Sequence, residues 1–295
     1  MAPTDTPAAR ETACRILDEV NRIHRTRFRP VRPLTGGFQS ETWLLSAPPN
    51  HTRAVLKWSP DPGRARQVLR AHRAVATVRA AGYATPEWLA AGVTAAGLPY
   101  HVQRFIPGAP PAPGLTDATA RLLIPLVESQ RGLDADPGHC WSRYVRDSLA
   151  DGGWAIRERL AATGLAGRGF ATEVGALLGA YGEAELPSGD LVHGDLRPAN
   201  TVVDAEGRPW AVDAEALGSG TRAYDYATLL TEDEADPSAW DLTRAAGERV
   251  AGPAVLAHCF ALAALELADF VRSRRPDRLP ALLGPLTARA VRLRP

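Results

Sequence analysis

His193-Gly194-Asp195-Leu196-Arg197-Pro198-Ala199-Asn200 is the stretch on which the reading of this chain turns. It follows the apolar pair Leu191-Val192, and its Asp and Asn stand five positions apart. A second acidic segment, Trp210-Ala211-Val212-Asp213-Ala214-Glu215, places Asp213 thirteen positions after Asn200. Phosphoryl transfer calls for such a set. One carboxylate accepts or orients the attacking hydroxyl, while an amide oxygen and another carboxylate hold Mg²⁺ on nucleotide phosphates. Between the two segments, 201–204 and 209–212 read as short strands joined by the turn Ala205-Glu206-Gly207-Arg208. Such a hairpin carries Asn200 at one end and Asp213 at the other, so their separation in sequence is harmless.

The pattern continues past Asp213 through Glu215, Gly218, Gly220, Tyr224 and Asp225. Together the two blocks resemble the aminoglycoside phosphotransferase-like small-molecule kinases, relatives of the protein kinases in which Gly replaces the Arg of His-Arg-Asp. Thr221-Arg222 stands where that family often has Asp-Pro. The resemblance spans residues 30–290 and is specific only in these two blocks. It implies an α+β, bilobal protein-kinase-like fold. A small antiparallel lobe with one crossing helix, 1–106, would bind nucleotide, and a mainly helical lobe, 107–295, would carry the catalytic loop and substrate site. It implies ATP, with GTP as an alternative, and Mg²⁺ as cofactors. Asp195 would be the catalytic carboxylate, with Asn200 and Asp213 on the metal; Glu215 and Asp225 would brace the loop. Arg197, two beyond Asp195, would stabilise the transferring phosphoryl group, face the substrate, or lie in solvent.

Lys57 is the sole lysine among 34 Lys and Arg residues. Where a generic positive charge suffices, this chain uses Arg, so Lys57 is expected where a compact ammonium is needed and a planar guanidinium is not. It lies in the strand-like run Arg53 to Trp58, downstream of Gly36-Gly37-Phe38-Gln39-Ser40. Glycines there would let the backbone approach a phosphate closely, although Gly-Gly between strands also makes an ordinary hairpin. Beside Lys57 they resemble the family's nucleotide-covering loop, with Gly36, Gly37 and Ser40 as contacts. The kinase pattern also expects a Glu on the next helix to pair with the lysine. The helix expected over 62–81 has no acidic residue. His72, Gln67 and Glu41 are the alternatives for a partner. The strand 99–106 leads into the Pro-rich run 107–113, and the resemblance implies the Gln103 carbonyl and Phe105 amide as adenine partners.

Hydrophobic periodicity places a helix over 8–24, strands over 28–34, 39–46, 53–58, 87–93 and 99–106, and then helices over 116–132, 138–150, 153–164, 168–183, 222–231, 238–248, 252–274 and 279–291. Only the two short strands around 205–208 interrupt the helices. A chain of 295 residues can bury a large core. A net charge of +1 gives no global field for nucleic acid. Cys14, Cys140 and Cys259 are too far apart in sequence for a metal motif and suit a reducing cytosol. Met1 to Ala9 lacks the apolar core of a signal peptide, and the apolar run Ala254 to Val271 holds Glu266 and Asp269, as a buried helix would. The expectation is a cytoplasmic monomer or homodimer with no nucleic-acid or membrane partner.

Substrate residues are less sharply marked. The tract Glu232-Asp233-Glu234-Ala235-Asp236 is either a solvated loop or a docking surface for a polycation. Glu266 and Asp269 are stronger candidates, because carboxylates in apolar surroundings demand partners. The expected function is Mg²⁺-dependent transfer from ATP to a hydroxyl of a small cationic molecule, foremost an aminoglycoside or basic peptide antibiotic. A metabolic kinase for choline, an amino alcohol or a sugar is the alternative within the fold. A nucleotide-binding regulatory module without turnover, suggested by the missing helix Glu, is the alternative outside it.

Overall fold

The computed structural model describes residues 6–34, 41–49 and 52–295. The chain forms two compact units: Met1–Gly108 with Asp204–Glu206 and Ala214–Ala216, and Ala109–Val203 with Gly207–Asp213 and Leu217–Pro295.

The first unit opens with helix α1, Pro7–His24. The Thr6 side chain caps it by accepting from the Ala9 amide at 3.2 Å, and Pro7 fits the first turn because its missing N–H would have no partner there. Strands β1 (Arg29–Pro33), β2 (Glu41–Ala47), β3 (Thr52–Trp58), β4 (Trp88–Val93) and β5 (Pro99–Arg104) form one antiparallel sheet in the order β1-β2-β3-β5-β4. Helix α2, Ala65–Ala80, connects β3 to β4 and buries Val68, Ala71, Val75 and Val78, the spacing of one helical face.

Strand alternation divides the sheet residues between two faces. The large side chains Trp43 and Trp58 on one face join Leu45, Leu56, Tyr100 and Val102 in a core closed by Ala13, Ile16, Leu17 and Val20 of α1. The intervening residues of β3 and β5, Lys57 and His101, are register partners and project to the other face. There the Trp88 ring stacks on His101 at 3.8 Å between centroids, with His72 of α2 on its far side at 6.3 Å. The sheet therefore places the lone lysine on a buried floor between strand and helix.

The second unit holds helices α3 (Asp117–Glu128), α4 (Trp141–Leu149), α5 (Trp154–Ala161), α6 (Leu165–Tyr181), α7 (Ala223–Leu230), α8 (Pro237–Ala251), α9 (Pro253–Arg274) and α10 (Leu279–Arg292). Helix α9 is long and apolar enough to cross a membrane, yet 67% of that apolar window is buried, packed by α4 to α8 and α10. It is the central helix of this unit. The hairpin of β7 (Thr201–Val203) and β8 (Pro209–Ala211) forms as expected, with Thr201 opposite Ala211. A second ladder was not expected. β6 (Asp190–Val192) pairs antiparallel with β9 (Gly218–Gly220), ahead of the loop and after Asp213 respectively. Gly-Ser-Gly has no strand propensity, but a Cβ on Gly218 would lie 2.5 Å from the His139 carbonyl oxygen. Tertiary packing, rather than local preference, makes this strand.

Candidate active site

The loop 193–200 runs from β6 to β7, and helix α7 holds it from behind. All eight residues of α7 are buried. Asp225, in its first turn, accepts from the His193 amide at 2.7 Å and the Gly194 amide at 2.9 Å, one on each carboxylate oxygen. The Gln130 amide adds a third bond at 2.8 Å. Burial raises the Asp225 pKa, while these bonds and His193 pull the other way. His193 is itself fully buried, with Nε2 2.9 Å from the Val212 carbonyl. It ties the loop to the residue before Asp213 and is structural. Gly194 sits at φ +84°, and a Cβ there would come within 2.2 Å of the Trp141 ring. The loop therefore needs glycine both for its turn and for its approach to Trp141.

Asp195, next in the loop, is half exposed at its side chain, 52%. Its Oδ1 accepts from Arg197 Nε at 2.8 Å and its Oδ2 from Asn200 Nδ2 at 2.8 Å. Asn200 Nδ2 also reaches the Asp195 carbonyl at 2.9 Å. With its nitrogen so placed, the Asn200 amide presents its oxygen end for a hard cation. The Val212 amide donates to the Asn200 carbonyl at 2.9 Å, so the hairpin delivers Asp213 next to Asn200. Asp213 has φ +64°, the left-handed conformation that Asp tolerates better than most residues. It stands as a sharp corner at the end of β8. Asp195, Asn200 and Asp213 are thus brought together on one loop and hairpin.

Arg197 is a bridge and does not lie free in solvent. Its Nη1 donates to Glu232 Oε1 at 2.9 Å while its Nε holds Asp195. Burial opposes its charge, but the two carboxylates raise its pKa above the ordinary value. Glu232 turns inward, only 15% exposed at its side chain, whereas Asp233, Glu234 and Asp236 are exposed. Burial raises the Glu232 pKa against the pull of Arg197. The tract 232–236 is therefore neither wholly a solvated loop nor wholly an exposed docking surface. Glu232 and Asp233 are the tract's candidate substrate contacts; Glu232 is engaged by the protein, and Asp233 keeps an exposed side chain.

An aromatic wall adjoins the loop. Trp141, against Gly194, packs on Tyr224 at 4.6 Å and on Tyr144 at 5.5 Å. Both tyrosine hydroxyls donate to Glu266 of α9, Tyr224 at 3.2 Å and Tyr144 through a shorter bond to the other oxygen. Burial raises the Glu266 pKa from its ordinary value despite these donors, and pushes Tyr144 up to about 12. The sequence did not single out Trp141 or Tyr144; nothing in the period of α4 distinguishes a wall residue from a core one. Asp269, one turn beyond Glu266, corrects the other expectation on α9. Its oxygens accept from Arg159 Nη2 and Arg272 Nε, each at 2.8 Å. The hydrogen bond from Arg159 is the main cause that lowers its pKa. The cationic partners its position demanded are thus supplied by Arg159 and Arg272 of the protein itself.

In the first unit the lysine has a partner that none of the three alternatives supplied. Lys57 Nζ lies 3.1 Å from Glu215 Oε1, and both residues are buried. Glu215 belongs to a short helical turn, Ala214–Ala216, that packs against α2, and Arg70 of α2 donates to its carbonyl at 3.1 Å. Burial would raise the Glu215 pKa, but Lys57 foremost, with His101 4.0 Å away, holds it at about 2. His72 stacks on Trp88, Gln67 accepts from Arg64 and Glu41 is exposed. The Phe105 amide, expected to meet a nucleotide base, instead donates to the Arg53 carbonyl at 3.2 Å, because β5 keeps pairing with β3 beyond Arg104. Gln103 lies within that paired strand, opposite Val55. Gly36, Gly37 and Ser40 lie outside the described residues.

A sequence profile described as the phosphotransferase enzyme family matches residues 30–278. No curated protein sequence matches the chain. Solved structures do. A thermostable mutant of aminoglycoside phosphotransferase APH(4)-Ia, in ternary complex with ADP and hygromycin B, is 17% identical, with 92% of this chain and 97% of that chain covered and a TM-score of 0.65. The macrolide 2'-phosphotransferase MphH from Brachybacterium faecium is 17% identical over 90% of this chain and 97% of its own, with a TM-score of 0.58. The choline kinase LicA from Streptococcus pneumoniae is 11% identical over 94% and 99%, with a TM-score of 0.59. At such identities the likeness speaks for the fold, which is the α+β, protein-kinase-like one.

Proposed function

The chain belongs to the phosphotransferase enzyme family, a small-molecule kinase by that membership, and from this premise we propose that it transfers the γ-phosphoryl group of ATP to a hydroxyl of a small cationic molecule. The observation that carries this reading is the bond from Asn200 Nδ2 to Asp195 Oδ2 at 2.8 Å. It joins the acceptor-side carboxylate and a hard-oxygen ligand into one rigid piece. Asp195 would orient the acceptor hydroxyl and take up its proton as the new O–P bond forms and the bond to ADP breaks. The Asn200 amide oxygen and Asp213 carboxylate are both hard donors, which fits Mg²⁺, and would hold it. When bound, the ion neutralises charge on the phosphates. Lys57, kept charged by Glu215, would meet phosphate oxygens as a point charge. ADP and AMP-PNP in structures of similar fold support ATP as the donor.

On the acceptor side, the wall of Trp141 and Tyr144 leads from the loop to Glu266. Aromatic faces and a carboxylate held by two tyrosine hydroxyls suit an amine with apolar surface. Aminoglycosides and basic peptide antibiotics are the leading acceptors. The same aromatic faces favour a second reading, an amino alcohol such as choline. Purified protein with [γ-³²P]ATP and Mg²⁺, presented with hygromycin B, other aminoglycosides, a macrolide, a basic peptide antibiotic, choline and neutral sugars, tests both. Labelled product from a cationic acceptor is expected. Product only from the neutral sugars would overturn the reading.

A further inference from the structure

Helix α7 supports the loop twice. Asp225 in its first turn fixes the His193 and Gly194 amides, and Glu232, two residues past its last, fixes Arg197. Helix α7 and the turn that ends it thus hold the loop on both sides of Asp195, at the His193 and Gly194 amides before it and at Arg197 after it. Asp195 itself touches neither acid. The guanidinium links it to Glu232 by hydrogen bonds, Arg197 Nη1 to Glu232 Oε1 at 2.9 Å and Arg197 Nε to Asp195 Oδ1 at 2.8 Å. The Arg197 backbone is fixed too, since its carbonyl accepts from the Asn200 amide and the Thr201 hydroxyl, each at 3.0 Å.

We propose that Glu232 is a positioning residue for phosphoryl transfer, acting through Arg197 to set the orientation of the Asp195 carboxylate. A guanidinium is a planar fork whose donors have fixed directions. With Nη1 anchored on Glu232, the edge that carries Nε faces Asp195 in one orientation. Without the anchor, the side chain is free to swing away from Asp195 or to turn toward phosphate oxygens. The second carboxylate also shares the guanidinium charge, so Arg197 holds Asp195 in place without being wholly given over to it. Nucleotide binding needs none of this, and the effect therefore belongs to turnover rather than to affinity.

The inference rests on Asp195 being the acceptor-side carboxylate, and one set of variants separates the two ideas. Slow hydrolysis of MgATP, with water as acceptor, is measured beside AMP-PNP binding and thermal melting for Asp195→Asn, Glu232→Gln, Glu232→Asp, Arg197→Met and the Glu232→Gln/Arg197→Met double variant. Glu232→Gln is expected to lower kcat by about 10-fold, the scale of an outer partner, with nucleotide Kd within about twofold. Glu232→Asp should recover part of the loss. The double variant should lose little more than Arg197→Met alone, because the two act in series. Should Glu232→Gln not fold, Glu232→Asp and Arg197→Met carry the comparison. If Asp195→Asn keeps wild-type turnover, the assignment of Asp195 fails. If Asp195→Asn loses turnover while the Glu232 variants keep it, or the losses are fully additive, the role given to Glu232 is overturned.

Discussion

Lys57 and Glu215 form a buried ion pair, Nζ to Oε1 at 3.1 Å, that takes the place of the lysine–helix pairing usual in kinases. The acid comes from two residues past Asp213 instead of from α2, which carries no acidic residue between Ala65 and Ala80. The same short segment thus supplies a proposed metal ligand and the counter-ion of the lysine proposed to meet phosphate. Breaking a buried pair by removing one partner leaves an uncompensated charge and costs on the order of 3–5 kcal/mol. Glu215→Ala should show a loss on that scale in urea denaturation, and Lys57→Met/Glu215→Ala should lose less than the sum of the single changes. Additive losses would show that the two do not act as a pair.

The floor around this pair also predicts a pH dependence. Burial pushes His101 down from 6.5 to about 4. Between those values the unfolded imidazole binds a proton that the folded one refuses, so stability falls as pH drops through this window and the contribution is flat below it. Glu215, held at about 2 against an ordinary 4.5, acts next and with the same sign, since the folded carboxylate stays ionised where the unfolded one is protonated. Denaturation midpoints from pH 7 to pH 4 should decline in the wild type and decline less steeply in His101→Gln. Equal slopes in the two proteins would contradict the assignment.

Gly194→Ala should be far more damaging than an exposed glycine change. It combines φ +84° with a Cβ 2.2 Å from the Trp141 ring. Either the loop or the tryptophan has to shift, and Asp195 moves with the loop. A displacement of about 1 Å at reacting groups can cost on the order of 10²-fold in rate. Trp141→Ala removes the clash but not the backbone strain, so the pair Gly194→Ala/Trp141→Ala should recover turnover only in part. Full activity in Gly194→Ala, with ATP turnover as the readout, would show that the approach is not required.

Glu266 and Asp269 share one helix but have different partners, and they separate experimentally. Glu266→Gln should raise KM for a cationic acceptor by about 10-fold while the ATP KM stays unchanged, the pattern of a lost ground-state contact. Asp269→Asn should leave acceptor KM within about twofold and instead lower stability by roughly 1 kcal/mol, the scale of an exposed, networked ion pair. The reverse pattern, with Asp269 governing acceptor KM, would restore the reading drawn from sequence.

Those differences show what one chain of letters carries. The sheet, its crossing helix, the hairpin and the helical unit were legible because each rests on local period and turn chemistry, as in the alternation of β3 or the turn Ala205 to Arg208. The cluster of Asp195, Asn200 and Asp213 was legible because a hairpin joins them over a short span. The partner of Lys57 was not, since Glu215 lies 158 positions away in sequence and only the tertiary fold brings it to β3. Glu232 was hidden for a different reason: in a five-residue tract with four acids nothing local tells which side chain turns inward to Arg197. Likewise, β9 has no strand-forming residue, and Asp269 gave no sign that Arg159, 110 positions earlier, would satisfy it.

The central claim is that the loop 193–200, with Asp213, is the site of phosphoryl transfer. The direct measurement is single-turnover transfer from [γ-³²P]ATP in Asp195→Asn, with AMP-PNP affinity determined on the same sample. A loss of at least ~10²-fold in the rate, the scale of a positioned catalytic carboxylate, is expected with nucleotide Kd little changed. A rate within about twofold of wild type at unchanged affinity would contradict it, since such a loss corresponds to well under 1 kcal/mol of transition-state stabilisation.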